Sequence, residues 1–143
     1  MTIPTITSGI AGPLGVLHMP RFWQKVSLDA VGKLHSDYPA CGAGYDQMML
    51  DAIGLDKDAT LNYVKSEKPT YVQFEAWVKA NASNLAGGNE FNQAVVGYNH
   101  DDKTRDTILN TVGLAGADIK DAVNLNNLED WHDFHGTVIN SGG

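Results

Sequence analysis

Apolar side chains recur along this chain at intervals of three and four rather than two, a spacing that predicts helices almost throughout. After Pro20, which suits the first turn of a helix, Trp23, Val26, Ala30, Val31 and Leu34 form one stripe and predict a helix over about 20–34. Asp46 is placed to cap a second helix carrying Met49, Leu50 and Ile53, with Gly54 where a left-handed residue ends it. Asp56 or Asp58 opens a third, with Leu61 and Val64 facing inward and Pro69 marking its end. Thr70 and Gln73 have the spacing of a capping box, and Phe74, Trp77 and Val78 carry that helix to about residue 81. Residues 83–89 are a loop by composition. Phe91, Ala94, Val95 and Tyr98 make a further stripe; Asn99–Asp102 caps the next helix, in which Ile108, Leu109 and Val112 point inward before Gly113. A short last helix is expected over about 126–135, stopped by Gly136.

The expected fold is therefore all-α: one domain over 1–143, of about six or seven short helices, with an irregular arm at 1–17 and a frayed tail at 136–143. Pro4, Gly9, Gly12, Pro13 and Gly15 break regular structure in the arm, yet Ile3, Ile6, Ile10, Leu14 and Leu17 suit a segment packed across a helical surface. A chain of 143 residues, 43% of them apolar, is long enough for a real core. Leu50, Gly54, Leu55 and Val64 recur as Leu109, Gly113, Leu114 and Val123 at an offset of 59. Duplication and two separate uses of a glycine-ended helix both explain that echo.

Charge narrows the partners. With 17 acidic and 10 basic residues the net charge is −7, and no cluster of Lys and Arg suggests nucleic acid or an anionic membrane. No apolar run approaches the roughly 20 residues that span a bilayer. The start, Met1–Thr5, lacks a basic segment followed by an apolar one, so a cytoplasmic location is expected. The single cysteine, Cys41, excludes an intramolecular disulfide.

Candidate chemistry concentrates in a hinge loop, residues 35–46, between the first two helices. It holds His35, Asp37, Tyr38, Cys41, Gly42, Gly44, Tyr45 and Asp46. Cys41 is read either as a thiol activated by His35 or, preferably, as a buried side chain. Gly42 and Gly44 ahead of a helix suggest an anion cradle, which an acid at Asp46 would itself fill. Neither a phosphate-binding loop nor a dinucleotide fingerprint is present, so no cofactor is expected. Arg21, at a helix start whose dipole favours anions, calls for an acidic partner: Asp37, Asp46 or a substrate carboxylate. Glu129, His132 and His135 share a helix face with metal-ligand spacing, but a solvated polar face is the preferred reading and no metal is expected.

The segments His18-Met19-Pro20-Arg21-Phe22, Gly32-Lys33-Leu34-His35 with Tyr38, Gly42-x-Gly44-x-Asp46 and Ala52-Ile53-Gly54-Leu55 resemble a bacterial family of small proteins catalogued as domain of unknown function 5069. The resemblance runs on through Glu75–Val78, Phe91-Asn92 and Ile119-Lys120, over nearly the whole chain. It implies a small, mostly helical protein with no activity to carry over. It nominates His18, Arg21, Lys33, His35, Tyr38, Gly44 and Asp46; at position 24, where many relatives have an acid, this chain has Gln24.

Two functions follow as expectations. In the first, a small molecule, expected to be a carboxylated metabolite, binds where the start of the first helix meets the hinge loop. His18, His35, Tyr38 and Asp46 would supply cofactor-free acid–base catalysis of an isomerase, lyase or hydrolase type. Arg21, Lys33, Cys41, Gly44 and Tyr45 would hold the substrate. In the second, the hinge loop and Phe22, Trp23, Trp77 and Trp131 form a protein-binding or homodimer face without catalysis.

Overall fold

In the computed structural model, which describes residues 1–140, seven α-helices succeed one another, with no named strand among the described residues. They are α1 (Met19–Ala30), α2 (Tyr45–Ile53), α3 (Lys57–Glu67), α4 (Tyr71–Asn81), α5 (Gly88–Gly97), α6 (Asp102–Val112) and α7 (Ala122–Phe134). A 3-10 turn, Leu85–Gly87, leads into α5, and a π turn, His135–Ile139, extends α7. The all-α fold is the one expected from the periodicity.

Most boundaries are set by side chains visible in the sequence. Asp56 accepts the Ala59 N–H at 2.9 Å and Asp101 accepts that of Thr104 at 2.7 Å. Thr70 and Gln73 close both halves of the capping box, at 3.2 and 3.0 Å. Asp121 caps α7 through the Asn124 N–H at 3.1 Å, so that helix starts well before residue 126.

Three other boundaries differ from expectation. Helix α1 ends at Ala30, not 34, because Gly32 takes φ 68°. There Lys33 N–H donates to the Leu28 carbonyl at 2.9 Å and Gly32 N–H to that of Asp29 at 3.0 Å, a Schellman ending. The same 6→1 bond runs from Leu55 to Leu50 (2.9 Å) past Gly54 and from Leu114 to Leu109 (2.8 Å) past Gly113. The motif places a leucine before and after each glycine and accounts for the repeated Leu-Gly-Leu spacing without duplication. The loop expected at 83–89 is partly helical, since α5 starts at Gly88. Gly136 does not end the last helix: the backbone continues with a wider turn closed by Asn140 N–H on the His135 carbonyl at 2.8 Å. Of the tail expected to fray, 136–143, residues 136–140 belong to this turn, and 141–143 lie outside the described residues.

The main core gathers Met19, Phe22 and Val26 of α1 with Met49, Leu50 and Ile53 of α2, Val64 of α3, Phe74 and Val78 of α4, and Phe91 and Val95 of α5. A second, smaller cluster joins Ile108 and Leu109 of α6 to Leu125 of α7. The arm is packed, as expected: Ile3 and Val16 are buried, Thr2 N–H donates to the Lys33 carbonyl, and His35 N–H donates to that of Thr2. Ile10 is the exception and is exposed. Among the described residues no helix is long and apolar enough to cross a membrane.

Helix α1 buries a face other than the predicted one. Val26 points into the core, but Val31 is exposed, and Arg21 and Lys25 are buried beside Met19 and Phe22. Two buried cations on one short helix need acidic partners, and these define the candidate site.

Candidate functional site

The partners come from three separate parts of the chain. Lys25 Nζ lies 2.5 Å from Asp46 Oδ2, and that oxygen also accepts the Gly42 N–H at 2.7 Å. His18 Nε2 lies 2.6 Å from Asp46 Oδ1, and its Nδ1 lies 2.9 Å from Ser8 Oγ in the arm. One turn further along α1, Arg21 forks onto Asp130 of α7 at 2.6 and 3.2 Å and donates to the Ile6 carbonyl at 2.8 Å. The Tyr38 hydroxyl sits between Asp130 Oδ1 (3.0 Å) and Asp133 Oδ2 (2.9 Å), and the Arg21 guanidinium lies 5.9 Å from the centre of the Tyr38 ring. All of these residues except Asp133 and Ile6 line a cleft of about 230 Å³, to which Gly44, Tyr45, Asn126 and Glu129 also belong.

Protonation follows from the environment. Burial lowers the His18 pKa from its ordinary 6.5, outweighing the hydrogen bond and charge of Asp46. For Asp46, burial acts upward, but the His18 hydrogen bond and the Lys25 charge prevail and hold the carboxyl below its usual range. At neutral pH the pair is thus an ionised Asp46 beside a neutral His18. A carboxylate only accepts, so Nε2 carries the imidazole proton, Nδ1 is the acceptor, and Ser8 Oγ–H donates to it. Burial first, then Asp133 and Asp130, raises the Glu129 carboxyl. Burial and the adjoining carboxylates raise the Tyr38 phenol, and burial pushes Tyr45 up to about 12.

His18 is held in an unusual backbone state. It precedes the first residue of α1 with φ 71° and ψ −22°, and its N–H donates to the Ile10 carbonyl at 3.2 Å. A side-chain-bearing residue in that region costs about 1–3 kcal/mol and persists where its surroundings over-determine it. Here Ser8 and Asp46 hold both ring nitrogens, and the Tyr45 ring packs 5.5 Å from the imidazole.

Of the residues nominated from the sequence, His18, Arg21, Tyr38, Gly44, Tyr45 and Asp46 meet at the cleft. His35, Lys33 and Cys41 do not line it. His35 accepts the Asp37 N–H through Nδ1 at 3.2 Å and packs edge-to-face with Tyr38, the ring centres 6.0 Å apart. Lys33 is exposed, because the chain has already left α1 at Gly32. Cys41 packs against the main core; burial and then Asp46 raise its thiol, the opposite of an activated nucleophile. Asp46 is not the cap of α2: Gly44 takes that place, and Asp46 turns inward from the first turn to reach α1. Arg21 pairs with Asp130, not with Asp37 or Asp46, and is not free for a substrate carboxylate.

Ser8, Lys25, Asp130 and Asp133 escaped the sequence reading, and Glu129 entered it only beside His132 and His135 as a metal-ligand candidate. Lys25 lies four residues after Arg21, and two cations on the side of α1 next to Phe22 were the available signal. Nothing local marked Ser8 or Asp130 as partners. Among the described residues no cluster of three His, Cys, Asp or Glu side chains is placed to hold a metal ion, and His132 and His135 are exposed. The chain matches no family model and no curated protein.

Proposed function

We propose that this cleft binds a small, uncharged or cationic molecule and that His18 moves a proton to or from it. The observation that carries the reading is the neutral imidazole, fixed by Asp46 in one tautomer and held with a left-handed backbone on the wall of the cleft. A base that is unprotonated near pH 7 and backed by a carboxylate has the properties general acid–base catalysis needs. The ligand class follows from charge. Both cations lining the cleft, Arg21 and Lys25, are already paired with aspartates, while Asp37 and Glu129 add acidic groups to the wall. A carboxylated ligand has no unpaired cation to meet among these residues, which moves the reading from the expected carboxylated metabolite to neutral or amine-bearing ones. Five of the positions nominated with the expected family resemblance, His18, Arg21, Tyr38, Gly44 and Asp46, belong to the cleft wall. A cytoplasmic setting goes with this reading.

Following the His18 and Tyr45 ring resonances while adding a panel of small neutral and amine metabolites tests it. A ligand of the cleft moves both rings and leaves Trp77 unchanged. If no compound moves either ring at millimolar concentration, the reading fails.

A second reading, a homodimer, rests on an apolar groove of about 280 Å³ where the arm meets α7, lined by Ile3, Pro4, Ile10, Trp131 and Phe134. It replaces the aromatic face expected from the sequence: Phe22 is buried, the Trp23 indole donates to the Pro69 carbonyl, and Trp77 stacks on Tyr63, which leaves Trp131 as the exposed one of that set at 64%. Light scattering on the wild type and on Trp131→Glu tests this; a concentration-independent monomer ends it.

A further inference from the structure

We propose that Ser8 is a nucleophile and that the cleft hydrolyses small carboxylic esters. This deepens the proton-transfer reading and rests on it, because His18 is the base in both.

The arrangement is a hydrogen-bonded chain of serine, histidine and aspartate. Ser8 Oγ is 2.9 Å from His18 Nδ1, and His18 Nε2 is 2.6 Å from Asp46 Oδ1. A hydroxyl is a weak nucleophile until a base takes its proton, and the base works best when a third group fixes its tautomer and balances its charge after protonation. His18 and Asp46 meet both requirements, with the imidazole turned so that Nδ1, not Nε2, faces the serine. Asp46 is secured in turn by Lys25 and the Gly42 N–H, so its carboxylate stays ionised and directed at the ring. Low pKa at His18 keeps Nδ1 free to accept.

Ser8 is pinned and borders the cleft. Its neighbour Thr7 donates to Asn127 of α7 at 2.7 Å, and His18 N–H holds the Ile10 carbonyl, so both sides of the Ser8 turn are tied down. Only 2% of the residue is exposed, yet it is part of the cleft wall, which keeps bulk water from competing for the nucleophile. The first turn of α2, which no side chain caps, lines the same cleft at Gly44 and Tyr45. A volume of about 230 Å³ lies below the roughly 300–1,000 Å³ of drug-sized sites, which limits the substrate to a small ester.

The steps balance as follows. Ser8 Oγ bonds to the ester carbonyl carbon while its proton passes to His18 Nδ1, and the carbonyl π electrons move to oxygen. The tetrahedral species collapses, the carbon–alkoxy bond breaks, and the leaving oxygen takes the Nδ1 proton and departs as an alcohol. Water then attacks the acyl-serine, giving a proton to Nδ1; Ser8 Oγ leaves with that proton and the acid is released. The sum is ester plus water to acid plus alcohol, with no oxidant, reductant or cofactor.

The test treats the wild-type protein with diisopropyl fluorophosphate and maps the adduct by mass spectrometry, alongside turnover of p-nitrophenyl acetate. One adduct on Ser8 is expected. Ester turnover in Ser8→Ala should fall to the level of buffer, and in His18→Gln by about 10²–10⁴-fold. Ser8→Cys provides a second measure that needs no native ester activity: its alkylation by iodoacetamide should rise with pH along the His18 titration followed by NMR. No adduct at Ser8, or undiminished turnover in Ser8→Ala, overturns the nucleophile. If turnover survives in Ser8→Ala but is lost in His18→Gln, the proton-transfer reading stands and this one falls; if ligands move neither ring and no ester turns over, both fall.

Discussion

The body formed by α1–α5 and the α6–α7 pair are held together by different physics. In the body, eleven buried side chains from five helices share one continuous apolar core, and Phe22, Phe74, Met49 and Leu50 are fully enclosed. The α6–α7 pair has only a small cluster of its own, Ile108, Leu109 and Leu125, with Ala117 and Ile119 against it. Its attachment to the body is largely polar: Arg21 to Asp130, Tyr38 to Asp130 and Asp133, Thr7 to Asn127, and backbone bonds from His100 to Lys120 and from Ala122 to Tyr98. The candidate cleft runs along this seam. Apolar packing favours many near-equivalent arrangements, whereas a buried forked ion pair accepts one geometry, so the seam can hold α7 in register over the cleft where the small cluster alone would not.

Substitutions that separate these two kinds of attachment should differ in kind as well as size. The largest effect is expected from Asp46→Ala, which leaves Lys25, His18 and the Gly42 N–H without their acceptor inside the body; a loss of about 3–5 kcal/mol, read from urea unfolding, is expected. Phe22→Ala in the main core should cost about as much, roughly 3–5 kcal/mol, but without altering the pH dependence. Asp130→Ala strips Arg21 of its buried partner and should release α7 first, visible as faster amide exchange in α6 and α7 than in α2 and α4. If exchange instead rises evenly across all helices, the seam is not a separate unit. Tyr38→Phe removes one hydroxyl from the same seam and should cost only about 1–3 kcal/mol, with the change confined to α7.

Acid should weaken the body through His18 and Asp46. Both have pKa values lowered on folding, so each unfolded group binds protons that the folded one refuses, and stability falls as pH falls. The His18 contribution is complete above about 6.5 and is lost below it; that of Asp46 goes at lower pH, beginning near its unfolded value of about 3.9. Glu129, with its pKa raised, acts in the opposite sense and favours the folded state at lower pH. Urea midpoints at pH 7.5 and 5 should drop in the wild type, and the drop should shrink in His18→Gln. An unchanged wild-type midpoint would show that His18 is not the buried neutral base on which the cleft's chemistry depends.

The helices were legible because their determinants are local. Thr70 and Gln73, Asp56, Asp101, Gly54 and Gly113 act within a turn of where they stand, and period and cap agree there. The misreadings have local causes too: Gly32 is as good a terminator as Gly54, but the apolar Leu34 beyond it extended the stripe, when Leu34 is buried instead by pairing with Thr2 of the arm. Half of the cleft was legible as a cluster of His18, Arg21, Tyr38 and Asp46. The other half was not, because Ser8 and Asp130 lie ten residues before His18 and 109 residues after Arg21, respectively. Serine and aspartate are ordinary surface residues until a partner buries them.

By itself the sequence determined where most helices form and which caps bound them, that the arm is apolar enough to pack, and that a short loop rich in titratable groups separates the first two helices. These depend on residues within a few positions of each other, on hydrogen bonds across one turn and on the period of the apolar face. Only the tertiary structure decided which face of α1 is buried, that Asp46 serves His18 and Lys25 in place of its own helix, and that α7 brings Asp130 to Arg21. Those outcomes turn on the pairing of charges remote in sequence, which desolvation enforces once the helices have packed and which no local pattern encodes.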